Sequence, residues 1–496
     1  MEKRLLFAVA LSMLVLLVWS ALFPKPLPLK QGAVIQPLKN NPLPSPGPIE
    51  QPALSPLVSL STGGLELVFI EQLGAIKEAQ FDKYQSYKFP LKYGFVLDGK
   101  ELVFRKERLT SQEAVFVHQD QEKKIVKRFI LSNSNYSMQL EIEIENLSSS
   151  PINLNLPVIL GVLNFAGDQN RVRFLDIPVA LKEKTLHLNG RKDMTFDQLQ
   201  FIGLRDRYFC LIVEPGSECG GFVKKINANE TEVGLTPKGI QLAPGMKEVQ
   251  KFHIYLGPQE LQLINNIKPE WSGVIYYGTF DFISHLLLQL LGLFYHILHN
   301  WGLAIILLSL AVYLVLFPFS LKQMRSMKEM QALQPHIEEL RRTYKDNPQR
   351  LNKEMMELYK KHKVNPFSGC LPLILQMPIF FALYQALMRS VLLKGAGFLW
   401  IKDLSEPDRL FSLPATLPIR EINLLPILMT IIMFIQQKMS VTSSSSTTMQ
   451  QQKAMMIIMP IMFGLIFYNM PSGLVLYWFI NSLLMLIFQV KISQTK

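Results

Sequence analysis

Long apolar runs between Trp301 and Val490 decide what this chain can fold into. Trp301 to Phe319 supplies 19 residues, which as a helix reach about 28 Å, close to the thickness of a bilayer's hydrocarbon core. Segments 368–388, 454–470 and 473–490 are comparably apolar. A weaker one, 422–438, is interrupted by Asn423, Pro426 and Thr430, and crosses only if its polar face meets protein. Near the amino terminus, Lys3 and Arg4 precede an apolar run from Leu5 to Leu22. That run reads as an uncleaved anchor over 1–23, with removal as a signal peptide the alternative. The expected fold class is therefore a multi-pass α-helical membrane protein of six spans, five of them a core over 301–490.

The intervening region is of another kind. Ten prolines between Pro24 and Pro56 make 24–60 an extended linker. From 61 to 270 short strand-like runs dominate, among them LELVFI, YGFVL, ELVFR, EAVFVH, KIVKRFIL, MQLEIEIEN and FCLIVE. Met138, Leu140, Ile142 and Ile144 point one way while Gln139, Glu141, Glu143 and Glu145 point the other, so one face is buried and one is wet. A large, mostly antiparallel β-sandwich is expected, acting as a scaffold or docking domain, with no catalytic cluster in it. Cys210 and Cys219 could bridge in an oxidising compartment or stay as buried thiols, and Cys370 reads as a small filler.

Charge orients the spans. Lys322 to Lys363 holds eleven Lys or Arg against six Asp or Glu, and Lys438, Lys453, Lys491 and Lys496 flank later runs. Positive flanks belong in the cytoplasm. Six crossings from a cytoplasmic amino terminus put every one of these inside, together with the 491–496 tail, and put the β domain outside. The 320–364 segment reads as a helical hairpin, with Met324, Met327, Met330 and Leu333, then Leu351, Met355 and Leu358, at helical spacing. The net charge of +12 thus reports orientation. No zinc-finger spacing or RNA-binding signature accompanies it, so no specific nucleic acid is expected. Over 271–300, Asp281, His285, Gln289, His296 and His299 fall near one stripe of an apolar helix, as in an amphipathic helix lying at the interface. His296 and His299 lack a third ligand, and wetted imidazoles are preferred to a metal site.

Polar residues within the spans need partners, because lipid supplies none. Ser309, Tyr313, Gln376, Thr430, Tyr477, Asn481 and Ser482 form a neutral set that would line a vestibule. No Asp, Glu, Lys or Arg lies at mid-depth in the later spans, which argues against an ion-coupled transporter. HExxH, GxSxG and P-loop motifs are absent, so neither hydrolysis nor nucleotide use is supported and no cofactor is implied. A small-molecule channel or an envelope assembly scaffold stay as alternatives.

NPFSGCLPLILQMPIFFALYQAL (365–387), MQQQKAMMIIMPIMF (449–463) and YNMPSGLVLYWFINSLL (468–484) resemble the YidC/Oxa1/Alb3 membrane protein insertases. The large domain after the first span is similar to the Gram-negative bacterial branch. The resemblance implies an insertase and membrane chaperone of the bacterial inner membrane, working alone or beside the Sec translocon. Five core helices would enclose a hydrophilic groove open to cytoplasm and lipid and closed toward the periplasm. Carried onto this chain, the groove positions are Ser309, Gln376, Met377 and Tyr477, with Phe380 and Phe463 as apolar contacts and Thr430 among the polar lining. One departure stands out. The family's groove arginine sits five residues before the proline that ends the first core span, and here that proline is Pro318 and the position holds Tyr313. Tyrosine offers a hydrogen bond but no full charge. Implied partners are nascent membrane proteins, lipids, the Sec translocon, and the ribosome through the hairpin or the 439–453 loop.

Overall fold

The computed structural model describes residues 56–98, 102–132, 136–166, 169–182, 184–345, 347–362, 364, 371–412, 421–440 and 448–494. The anchor, nearly all of the linker, and Cys370 lie outside these residues. The chain divides into two compact units at Thr279 and Phe280. The boundary thus falls within the segment 271–300.

The first unit is rich in antiparallel strands. Its largest sheet has nine, in the spatial order Thr185–Leu188, Ile177–Ala180, Phe201–Arg205, Phe209–Pro215, Lys247–Pro258, Ser137–Asn146, Lys123–Leu131, Glu113–Gln119 and Arg105–Leu109. A five-stranded sheet and a four-stranded sheet accompany it. Period-two patterning does what physics requires: Met138, Leu140, Ile142 and Ile144 are buried, and the glutamates between them are not. In Phe209–Pro215 five successive residues are buried, because both faces of that central strand are covered. The five-stranded sheet comes close to the nine-stranded one at Gly161, where a Cβ would lie 2.8 Å from Leu204 Cδ1.

One expectation changes, and one open alternative closes. Within ELVFR, residues 102–104 form no strand: Phe104 is buried and its backbone N–H donates to Gln72 O at 2.8 Å, so its hydrogen bond goes to a turn instead of a ladder. Cys210 and Cys219 are free and buried, on strands of different sheets, which removes the bridging alternative. Burial pushes both thiols up, Cys219 to about 12.

Charges are also buried in this unit. Arg205 is 1% exposed. It forms a two-pronged pair with Asp176, through Nε at 2.7 Å and Nη2, and Nη1 donates to Val274 O at 2.8 Å and Tyr276 O at 3.1 Å. Lys127 is fully buried, and its Nζ donates to Phe95 O at 2.6 Å and to Gly74 O. Gly74 has φ +50°, a left-handed turn that aims this carbonyl inward, and its missing Cβ leaves room for Phe116.

The second unit is helical: α1 (Asp281–Leu298), α2 (Trp301–Ala332), α3 (Gln334–Thr343), α4 (Pro348–Lys361), α5 (Leu371–Arg389), α6 (Leu424–Ser440), α7 (Thr448–Phe467) and α8 (Ser472–Gln494). Local chemistry sets several boundaries. His299 closes α1 in a left-handed conformation, with its N–H on Tyr295 O at 2.7 Å. Asn300 Oδ1 accepts from Leu303 N at 3.0 Å at the start of α2, and Asn347 caps α4 ahead of Pro348. Pro318 does not end its helix, for α2 runs through it to Ala332.

Among the described residues three helical stretches are long and apolar enough to cross a membrane, Asp281–Leu298, Trp301–Lys322 and Ser472–Lys491, and Leu424–Met439 and Ile457–Phe467 are shorter apolar ones. Their outer faces are greasy: Leu314, Val315, Ile458 and Leu465 are exposed, Leu465 by 71%. A water-soluble bundle would not present such a surface. Inside, Leu308 of α2, Leu383 and Leu387 of α5, Met429 of α6, and Leu474 and Tyr477 of α8 pack into one cluster with Leu287 and Leu291 of α1.

Candidate functional site

The polar residues of the spans divide by where their hydrogen bonds go. Ser309 is fully buried, and its Oγ donates to Ile305 O at 2.8 Å, within its own helix. Thr430 does likewise, to Pro426 O at 2.8 Å. Beside Thr430, α7 approaches so closely that a Cβ at Gly464 would lie 2.3 Å from the hydroxyl. Asn481 Nδ2 donates to Tyr477 O one turn back, at 2.9 Å.

Another contact of this set joins two spans. Gln376 Nε2 on α5 donates to the Tyr477 hydroxyl on α8 at 2.6 Å. Tyr477 is fully buried and Gln376 is partly so. A glutamine amide has two hydrogens and an accepting oxygen, and among the described residues one hydrogen is seen engaged. One turn along α5, on the same face, Phe380 packs edge-on against Trp478 at 5.1 Å between centroids. Phe463 of α7 stacks on the same indole at 5.7 Å. The sequence-derived positions Gln376 and Tyr477 thus touch, and Phe380 and Phe463 meet through Trp478, while Met377 is partly buried beside Gln376. Ser309 and Thr430 turn back on their own helices.

Tyr313 is partly buried, and its hydroxyl is enclosed without a hydrogen-bond partner. It lies one turn from Ser309 on α2, with its ring 6.0 Å from that of Phe317, which in turn lies 4.7 Å from Phe488 of α8. An enclosed hydroxyl without a partner forfeits its hydration, on the order of 1–3 kcal/mol.

Sequence reasoning missed two features. Ser284, beside the His285 and Gln289 stripe, is fully buried and donates to Ala382 O at 2.9 Å, tying α1 to α5. A lone serine among leucines was its only signal. The other is a set of polar residues around Asp403, Asp408, Asn423 and Ser472, where helix ends meet the 390–423 connection. Asn423 Oδ1 accepts from Arg409 N at 3.0 Å, and its Nδ2 donates to Tyr468 O at 2.7 Å. Asn423, immediately ahead of an apolar run, carries a helix-start signal. Among the described residues no three His, Cys, Asp or Glu are placed to hold a metal ion.

A bundle that is greasy outside and held within by neutral polar contacts, beside a separate antiparallel β-rich unit, defines a multi-helix membrane protein with a large extramembrane domain. The family described as 60Kd inner membrane protein matches residues 293–496, and the one described as YidC periplasmic domain matches 55–290. The membrane protein insertase YidC of Pelobacter propionicus is 32% identical, covering 98% of this chain and 97% of its own. That of Geobacter metallireducens is 29% identical, covering 100% and 99%. Among solved structures, an active YidC insertase is similar at 20% identity, covering 88% of this chain and 94% of its own with a TM-score of 0.42. The chain belongs to the YidC family of membrane protein insertases.

Proposed function

We propose that this chain is a membrane protein insertase and chaperone. It receives nascent hydrophobic segments in a hydrophilic groove and releases them into lipid, alone or beside the Sec translocon. The observation that carries the reading is the Gln376–Tyr477 bond, which sets an amide with two hydrogens and an accepting oxygen between two spans. Such a group suits water or the backbone of an arriving chain.

Moving a polar flank through hydrocarbon costs several kcal/mol per unsatisfied group. A wet groove partway into the bilayer shortens that path, and burial of the hydrophobic segment in lipid drives release. No bond is made or broken, so the chemistry is solvation. The groove is lined by Ser309, Tyr313, Gln376, Met377, Thr430 and Tyr477, with Phe380 and Phe463 as its apolar wall. Six spans with both termini in the cytoplasm put α3 and α4 on the receiving side. The β-rich unit, closed as a sandwich, stands in the periplasm. In this arrangement α1 lies at the interface, with Phe282, Leu286, Leu293 and Ile297 toward lipid.

A photo-crosslinker at position 376 tests the reading. It is expected to capture a stalled nascent chain carrying one transmembrane segment, and capture only from lipid-facing positions such as 465 would oppose it. Gln376→Leu is expected to slow insertion of a client with a polar translocated tail, read as protease protection in reconstituted vesicles.

A further inference from the structure

The connection between α5 and α6 is built into the bundle instead of looping away from it. Val391, Leu393, Ile401, Leu404, Ser405 and Asp408 are buried. The connection grips the start of α8, where Ser472 N donates to Glu406 O at 2.8 Å, Gly473 N to Leu404 O at 2.9 Å, and Ser472 Oγ to Asp403 O at 3.0 Å. It also sits over the start of α2, where a Cβ at Gly302 would lie 2.1 Å from the Phe398 ring. The starts of α2, α6 and α8 and the end of α5 therefore converge on one segment.

Beside the Arg409–Asn423 bond, a carboxylate fastens that segment to the first turn of α6. Asp408 is 4% exposed. Its Oδ2 accepts from the backbone N–H of Leu425, in the first turn of α6, at 2.8 Å, and from Trp400 Nε1 at 3.2 Å. Helix-start N–H groups have no partner within their helix, and a carboxylate is a strong one. Its Oδ1 is enclosed without a hydrogen-bond partner. Packing alone would favour an apolar residue at such a position, so the two bonds made by Oδ2 are what the acid contributes.

We infer that Asp408 is a positioning residue for insertion, holding this segment across the helix ends so that the bundle stays shut there while the opposite end, next to α3 and α4, receives the client. The inference rests on the insertase reading and adds to it a residue that fastens the closed end.

The test uses the full chain in sealed vesicles, with release of a trapped small dye recorded beside protease protection of a client's tail. Asp408→Ala is expected to raise dye release by about tenfold, the shift that loss of one capping bond produces. It is also expected to speed hydrogen exchange at the Leu425 amide. Asp408→Asn retains an oxygen that can accept both N–H groups, and is expected to stay within about twofold of the unaltered chain. Should Asp408→Ala fail to assemble, Trp400→Phe deletes one donor, keeps a ring, and is expected to raise release by about threefold. Tight vesicles with the alanine variant, or with Trp400→Phe where the alanine variant cannot be made, overturn the inference, as does an asparagine variant that leaks like alanine. Absence of insertion by the unaltered chain counts against the insertase reading. Normal insertion beside a tight alanine variant counts against Asp408 alone.

Discussion

The two units bury polarity by opposite means. The β-rich unit encloses full charges, Arg205 against Asp176 and Lys127 among backbone carbonyls. The described side chains within the apolar stretches of the helical unit's spans bury only neutral donors and acceptors, such as Ser309, Gln376, Thr430 and Tyr477. Solvent accounts for the difference. A strand-rich unit can seat a charge against fixed carbonyls because its outer surface is wet and its ladders satisfy the remaining backbone. In a bundle surrounded by lipid, a charge at mid-depth has no such refuge.

Arg205→Ala should break the first half of this contrast with the largest effect. It leaves Asp176 and the carbonyls of Val274 and Tyr276 unserved, and is expected to lower the unfolding free energy of the β-rich unit by about 3–5 kcal/mol, measured by urea denaturation. Lys127→Met should cost about 2–3 kcal/mol in the same assay.

Lys127 also carries a pH signature, because burial pushes its ammonium down to about 7. Between that value and the ordinary lysine range, the unfolded chain holds a proton that the folded one lacks. Stability should therefore rise with pH from about 7 upward, and Lys127→Met should flatten the rise. Glu232 slopes the other way. Burial lifts its carboxyl from 4.5 to about 7, so over that window the folded chain holds the extra proton and stability falls as pH rises. Glu232→Gln should remove the fall, worth on the order of 2–3 kcal/mol. Together the two groups predict a stability minimum near neutral pH, and a monotonic profile would disprove their opposition.

On the membrane side, Gln376→Leu should cost the helical unit only about 1 kcal/mol while visibly slowing insertion. A loss of several kcal/mol would mean that the glutamine is structural and the contrast is misdrawn. Tyr313→Phe removes the enclosed, unpartnered hydroxyl, so it should leave stability unchanged or raise it by about 1 kcal/mol, with insertion modestly slower. If the phenylalanine variant inserts every client at the normal rate, the enclosed hydroxyl has no part in the reaction.

What could be read from sequence was what local periodicity encodes. The two-residue alternation in Ser137–Asn146 and the apolar runs behind α2, α5 and α8 announce themselves, because each depends only on neighbours in the chain. Gln376 and Tyr477 stood out because an amide and a phenol are costly in lipid, although their contact is between residues 101 apart. The Asp408 fastening was hidden for the same reason: its partner amide lies 17 residues further on, and Asn423 reaches a carbonyl 45 residues away. The full length of α2 was not legible, because Pro318 marks where the apolar run ends while the helix continues through it. A proline removes one donor, but only from the turn before it, and a helix otherwise supported by its neighbours continues.

The continuity of α2 has a geometric consequence. Its 32 residues make a rod of about 48 Å, whereas the hydrocarbon layer takes up only about 30 Å. In the arrangement proposed above, the surplus projects into the aqueous phase, and α3 and α4 follow it in the chain. Whatever pulls on that end has a lever running back past Tyr313 and Ser309.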